Sequence, residues 1–141
     1  MGLIYAEQVE YMSVDEMQQT HESEIKILNG IDKLATLCDQ GEATQEDLEK
    51  KLDVYIAHVH EHFANEERLM RKHNFPSYEM HKMAHDMFLA DLQYATTNWK
   101  EYGNIDKIIN FVRKTPEWIV MHVNSVDAPT ADYLARKMHT D

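Results

Sequence analysis

Cysteine, glycine, proline and basic charge are all scarce in this chain, and each shortage excludes something. The one cysteine, Cys38, permits no intrachain disulfide, so packing alone must hold the fold and a reducing compartment fits best. Four glycines and three prolines leave few places to break a helix, and no low-complexity linker or internal repeat is present. Lys and Arg number 14 against 25 Asp and Glu, a formal net charge of −11, with no basic block. Nucleic acids and anionic membranes, which are bound through Lys/Arg patches, are therefore poor partners. No apolar run approaches the ~20 residues needed to span a bilayer. The first residues, Met1 to Tyr11, lack a basic stretch followed by an apolar one, and Ala6 stands where a myristoylation pattern needs Ser or Thr. The expectation is a soluble cytoplasmic protein, a monomer in the simplest case.

The 141 residues suit one domain that buries roughly two-thirds of its unfolded surface. Strand-like alternation is missing, and helical periodicity runs nearly throughout. Ser13 with Glu16 resembles a capping box at the start of a first helix, and Gly41 ends it. Thr44 is an N-cap for a second helix. Asn74-Phe75-Pro76-Ser77 reads as a stop and a fresh N-cap, and Gly103 closes a third helix. Thr115-Pro116 restarts or kinks a fourth, and Pro129 marks a break beyond Asp127. The spacing predicts an N-terminal arm over 1–12, helices over roughly 14–40, 45–73, 78–101 and 104–127, and a C-terminal segment at 130–139. Short turns between four helices give antiparallel neighbours, an all-α up-down four-helix bundle.

What the chain has in quantity is metal-capable side chains at helical spacing. His62/Glu66 and His81/His85 are pairs four apart, so each pair shares one helix face. His122 and Asp127 follow, and His21 lies on the first helix. Counted at about 1.5 Å per residue from each turn, the donors of all four helices fall in one slice. His21 and His62, for example, both lie roughly 27–30 Å from the first turn. Five histidines with two carboxylates are too many donors for one tetrahedral zinc and suit two six-coordinate ions, with iron, copper, nickel and zinc all open. The five-residue step from His122 to Asp127 turns an ideal helix by roughly 140° off register. Both residues can face one centre only if the helix ends there or loosens into a π-type bulge.

Four stretches, "THESEI", "HFANEERLM", "FPSYEMHKMAHDMF" and "WIVMHVNSVD", resemble the hemerythrin family, in its single-domain bacterial form, over nearly the whole chain. Up-down bundles include myohemerythrin, a member of that family, so the bundle reading and the resemblance are not independent. The resemblance implies two non-haem iron ions with an oxo or hydroxo bridge. His81, His85 and His122 would bind one ion, His21 and His62 the other, with Glu66 and Asp127 bridging. It implies reversible dioxygen binding for storage, delivery or sensing, without catalysis. A di-iron peroxidase, a nitric-oxide-handling enzyme or an iron buffer are the rival readings. Leu28, Leu69 and Met121 are expected to wall the ligand pocket. Asn124 is expected to stand in it in place of an apolar residue, and Asn124→Leu would then slow autoxidation. His60, His73, His139 and Glu67 read as solvated, His58 as partly exposed, and the methionines and aromatic residues as core or boundary packing.

Overall fold

The computed structural model describes residues 14–140, with the side chains of 15, 139 and 140 left aside. The arm at 1–12, Tyr11 and the Ser13 capping box lie outside these residues. Four helices, α1 (Asp15–Asp39), α2 (Gln45–Lys72), α3 (Tyr78–Tyr102) and α4 (Ile105–His122), are followed by a π-helical segment (Val123–Asp127) and α5 (Ala128–Thr140). Helix α1 packs on α2, α2 on α3, α3 on α4, and α4 back on α1, which closes a four-helix ring. No helix among the described residues is long and apolar enough to cross a membrane.

The turns work through local chemistry. Thr44 Oγ1 accepts the Asp47 N–H at 3.2 Å, which satisfies one of the donors that every helix N-terminus leaves free. Ser77 takes the N-cap position of α3 without a side-chain capping bond. At the end of α3, Gly103 has φ +72°, while the N–H groups of Gly103 and Asn104 reach back to Trp99 O (2.9 Å) and Asn98 O (3.0 Å), a left-handed glycine closure of the αL type. A Cβ at Gly103 would meet nothing within 4 Å, so the left-handed backbone is the whole cost of a side chain there. Gly103→Ala is expected to lower stability by about 1 kcal/mol, read as an earlier urea midpoint at unchanged slope.

Down the axis, Leu28, Ile31, Leu52, Tyr55, Leu92, Ile108 and Val112 fill the interior. Each fully buried aliphatic side chain contributes roughly 1.5–3 kcal/mol of transfer free energy, which lets the other end of the bundle carry polar groups.

Two expectations about the C-terminal third need correcting. Of the restart or kink expected at Pro116, the restart does not occur, because α4 runs unbroken through it to His122. Pro129 is not a break either: α5 runs through it, directly continuing the π-helical segment. The C-terminal segment expected at 130–139 lies within this helix, which packs at the end of the bundle. Thr130, Ala131 and Leu134 are buried, the Tyr133 and Phe75 rings lie 5.2 Å apart, and the Tyr133 hydroxyl reaches the carbonyls of His73 (3.1 Å) and Asn74 (3.2 Å).

Candidate metal centre

All seven donors face the interior at one level, and all are buried. His21 comes from α1, His62 and Glu66 from α2, His81 and His85 from α3, His122 from α4 and Asp127 from the π-helical segment. That segment answers the awkward five-residue step. The Ala128 N–H bonds to Val123 O, an i to i−5 bond that widens the turn and brings Asp127 round beneath His122. The Asp127 Oδ1 to His122 Nε2 distance is 3.0 Å.

The donor atoms form two groups, each within 4.8 Å internally: Glu66, His81, His85, His122 and Asp127 in one, His21, His62, Glu66 and Asp127 in the other. Both carboxylates divide their oxygens between the groups. Glu66 Oε1 lies 3.3 Å from His81 Nε2 and 3.1 Å from His85 Nε2, while Oε2 lies 2.6 Å from His62 Nε2 and 3.4 Å from His21 Nε2. Asp127 Oδ1 faces His81 (2.9 Å) and His122 (3.0 Å), and Oδ2 faces His21 (3.1 Å).

The Nε2 atoms of His21, His81, His85 and His122, with Glu66 Oε1 and Asp127 Oδ1, are buried yet make no directed hydrogen bond. Buried polar atoms without partners are rare and costly. Here they point at shared positions between them rather than at one another, and a cation at each position would satisfy them. The donor set therefore fits a pair of imidazole- and carboxylate-preferring ions.

Three further residues fix the imidazole tautomers, and sequence reasoning assigned none of them this role. Glu67 Oε2 lies 3.0 Å from His85 Nδ1, and Glu24 Oε2 lies 3.0 Å from His62 Nδ1. A carboxylate only accepts, so Glu67 sets a proton on His85 Nδ1 and leaves its Nε2 lone pair for a metal. Glu24 favours the same tautomer of His62 once an ion displaces the proton that its Nε2 shares with Glu66 Oε2 at 2.6 Å. Thr130 Oγ1 donates to Val126 O (2.8 Å) and so stands as acceptor to His81 Nδ1 at 2.9 Å. Glu67 is thus no surface carboxylate, with its side chain 15% exposed. Glu24 was signalled by its place three residues after His21 on the same face, and Thr130 by its place three after Asp127. Glu67 carries no such signal, because it follows Glu66 directly and an adjacent position on a helix points to a different face.

The pocket residues divide. Leu69 lines a cavity of ≈ 10 Å³ beside His62 and Glu66, and Leu28 is buried in the core. Met121, 70% exposed, and Asn124, also exposed, line a hollow on the outer face of α4 with Pro116 and Glu117. Neither is a pocket residue. Met121 stands about 100° and Asn124 about 200° around the helix from the inward-facing His122. Asn124→Leu is accordingly expected to leave any autoxidation rate unchanged, followed as the decay of the visible spectrum in air. Met80, Met83 and Met87 are exposed as well, so the methionines of α3 are not packing residues. His58 is half-buried with its ring 6.3 Å from that of His62, and His60 is exposed. On the three-histidine side, Phe63 stacks on His85 (3.9 Å between centroids, 3°) and Trp118 on His122 (4.2 Å, 12°).

Without a cation the cluster holds protons. Burial pushes the His21 and His81 imidazolium ions down, but the adjacent Asp127 and Glu66 outweigh it and raise both to about 9. His62 is raised too, against its burial, by Glu66 and Glu24. Burial alone would push Glu66 up, but His62 and its other histidine neighbours hold it well below the usual carboxylate range. The stability that His21 and His81 contribute is complete below their ordinary value of 6.5 and disappears as pH rises through about 9. The Glu66 contribution is present above its ordinary value of 4.5 and is lost as pH falls through its lowered value. Chelated, metal-free protein is therefore expected to show its highest Tm between about pH 5 and 6.5 and a falling Tm up to about pH 9. Metal binding must expel these protons, so metal affinity should rise over the same range.

A helical ring around a buried imidazole–carboxylate cluster that could hold metal defines a candidate metal-binding bundle protein. The relatives narrow the class. The chain is 30% identical over 119 residues to a bacteriohemerythrin of Aquifex aeolicus, covering 84% of this chain and 87% of that one. It is 30% identical over 96 residues to a bacteriohemerythrin of Ralstonia nicotianae, covering 68% and 69%. The chain belongs to the hemerythrin family. No protein-family model and no solved structure matches it.

Proposed function

We propose that this protein binds dioxygen reversibly at a pair of iron ions, for storage, delivery or sensing, and does so as a binder rather than an enzyme. In this reading His81, His85 and His122 hold one ion, His21 and His62 the other, and Glu66 and Asp127 bridge them. The observation that carries it is the division of both carboxylates, one oxygen to each histidine group. When bound, the two ions supply one electron each and an open coordination position.

The chain's own residues favour a small, protected ligand. The ≈ 10 Å³ cavity lies on the two-histidine side, between His62, Glu66, Met17 and Leu69, so the group with fewer donors is the one with space beside it. Thr20 also lines it but gives its hydroxyl hydrogen to Glu16 O at 2.8 Å. The wall's one hydroxyl is therefore engaged, which leaves the Asn65 amide, a far weaker acid, as the other uncharged polar side chain beside His62 and Glu66. Such a wall works against O–O cleavage and for release. Asn124, the polar residue expected in the pocket, is exposed on the outer face instead.

The test is a visible spectrum of the reduced, iron-loaded protein under argon, in air and under argon again. An oxygen-dependent charge-transfer band should appear and then leave. Passage straight to the oxidised spectrum, with no returning band, would overturn the reading.

A further inference from the structure

A groove between α3 and α4 lies outside the metal centre and touches it through one residue. One half, a hollow of ≈ 300 Å³, is walled by Met87, Phe88, Phe111 and Trp118. The other, of ≈ 480 Å³, is polar and includes Tyr94, Lys107 and Asn110. The two halves share Asp91, Phe111 and Lys114, so they form one continuous site. Its size and its apolar wall with a few convergent polar groups match small-molecule sites. Trp118 lines the aromatic half beside Phe88 (4.4 Å between centroids) and also stacks on the candidate ligand His122 (4.2 Å).

We infer that this groove binds a flavin ring and passes its electrons toward the metal centre through Trp118. The inference rests on the di-iron reading for its purpose but not for its chemistry. Aromatic walls and the polarizable, 65% exposed Met87 suit a planar conjugated ring. A flavin's pyrimidine edge alternates carbonyl acceptors with an N–H donor. Lys114 and Asp91, both in the wall that the two halves share, offer the complementary donor and acceptor, whereas a quinone edge would leave Asp91 unanswered. Lys107, over the Tyr94 ring at 5.6 Å, lies farther along the polar half, where a phosphate-bearing side chain would extend, with Asp106 as the opposing charge. On oxidation a reduced flavin gives up two electrons and releases two protons to water, the number needed to return two ferric ions to ferrous.

The experiment is a fluorescence titration of oxidised riboflavin and of flavin mononucleotide with the protein as purified. Stacking on Trp118 should quench the flavin emission saturably, with Kd on the order of 10 µM. Met87→Glu and Lys114→Glu should each weaken binding by roughly tenfold, and Met121→Glu, an equally exposed methionine on the outer face of α4, should not. Tighter binding of the mononucleotide, lost in Lys107→Glu, would name the phosphorylated form; equal affinities would name the bare ring. No saturation up to about 1 mM, or equal weakening by Met87→Glu and Met121→Glu, would overturn the proposal. Because the metals take no part in this titration, its failure leaves the oxygen reading standing. A failed oxygen cycle with flavin binding intact does the reverse.

Discussion

Glu66→Gln should empty the metal centre while leaving the bundle helical. Glu66 is the one side chain whose two oxygens reach four of the five histidines: His81 and His85 through Oε1, His21 and His62 through Oε2. The amide keeps the shape of the side chain but turns one of those oxygens into a donor. That donor has no lone pair to offer an ion and can only donate to a ring Nε2 whose lone pair no ion holds, so it opposes a cation on its side. One negative charge also goes, in a buried site where an ion relies on it. Metal affinity should fall by more than roughly 100-fold, beyond the usual loss from removing an outer-shell partner. Iron per chain, from elemental analysis of protein refolded with ferrous iron, should drop from about two to below one. The far-ultraviolet circular dichroism should stay helical, because Leu28, Ile31, Leu52 and Leu92 are untouched. Retention of two ions would show that Glu66 does not bridge.

Leu69→Ala should destabilise the fold and expose the ligand cavity together. Leu69 is 4% exposed and shares the ≈ 10 Å³ cavity with His62 and Glu66, so its truncation adds empty volume directly beside them. Loss of a buried leucine costs about 2–5 kcal/mol, read from urea unfolding. The cavity becomes large enough for ordered water next to polar atoms. Water there supplies the proton source that the native wall withholds, so autoxidation should accelerate by roughly tenfold or more. An unchanged rate alongside the expected loss of stability would place the ligand elsewhere.

Much of this was legible in the chain because helical spacing is a short-range rule. The pairs His62/Glu66 and His81/His85 needed only the i, i+4 relation, and counting from Gly41/Thr44, Asn74/Ser77 and Gly103/Asn104 put the helices in register. The structure indeed sets the His21 and His62 ring centroids 5.0 Å apart and those of His81 and His122 5.3 Å apart. The π-helical segment was legible as a conflict between the donor spacing and the ideal turn. What failed depended on rotation or on cross-helix reach. Asn124 was drawn into the pocket by closeness in sequence to His122, although two residues along a helix point nearly opposite ways. Glu67 looked like a surface carboxylate because its partner His85 is eighteen residues away on α3. Pro129 looked like a terminus because a proline's effect depends on where in a helix it falls, and the π segment had moved that position.

The donors of the centre come from every wall of the ring, and the space beside them is ≈ 10 Å³. A chelator has no room to approach them while the helices stay packed. Exchange of the ions is therefore timed by how often the bundle opens, not by how tightly the donors grip. Metal loss should follow the steep temperature dependence of unfolding and stay nearly indifferent to chelator concentration. The release of iron into a colorimetric chelator then becomes a clock for the breathing of the four helices.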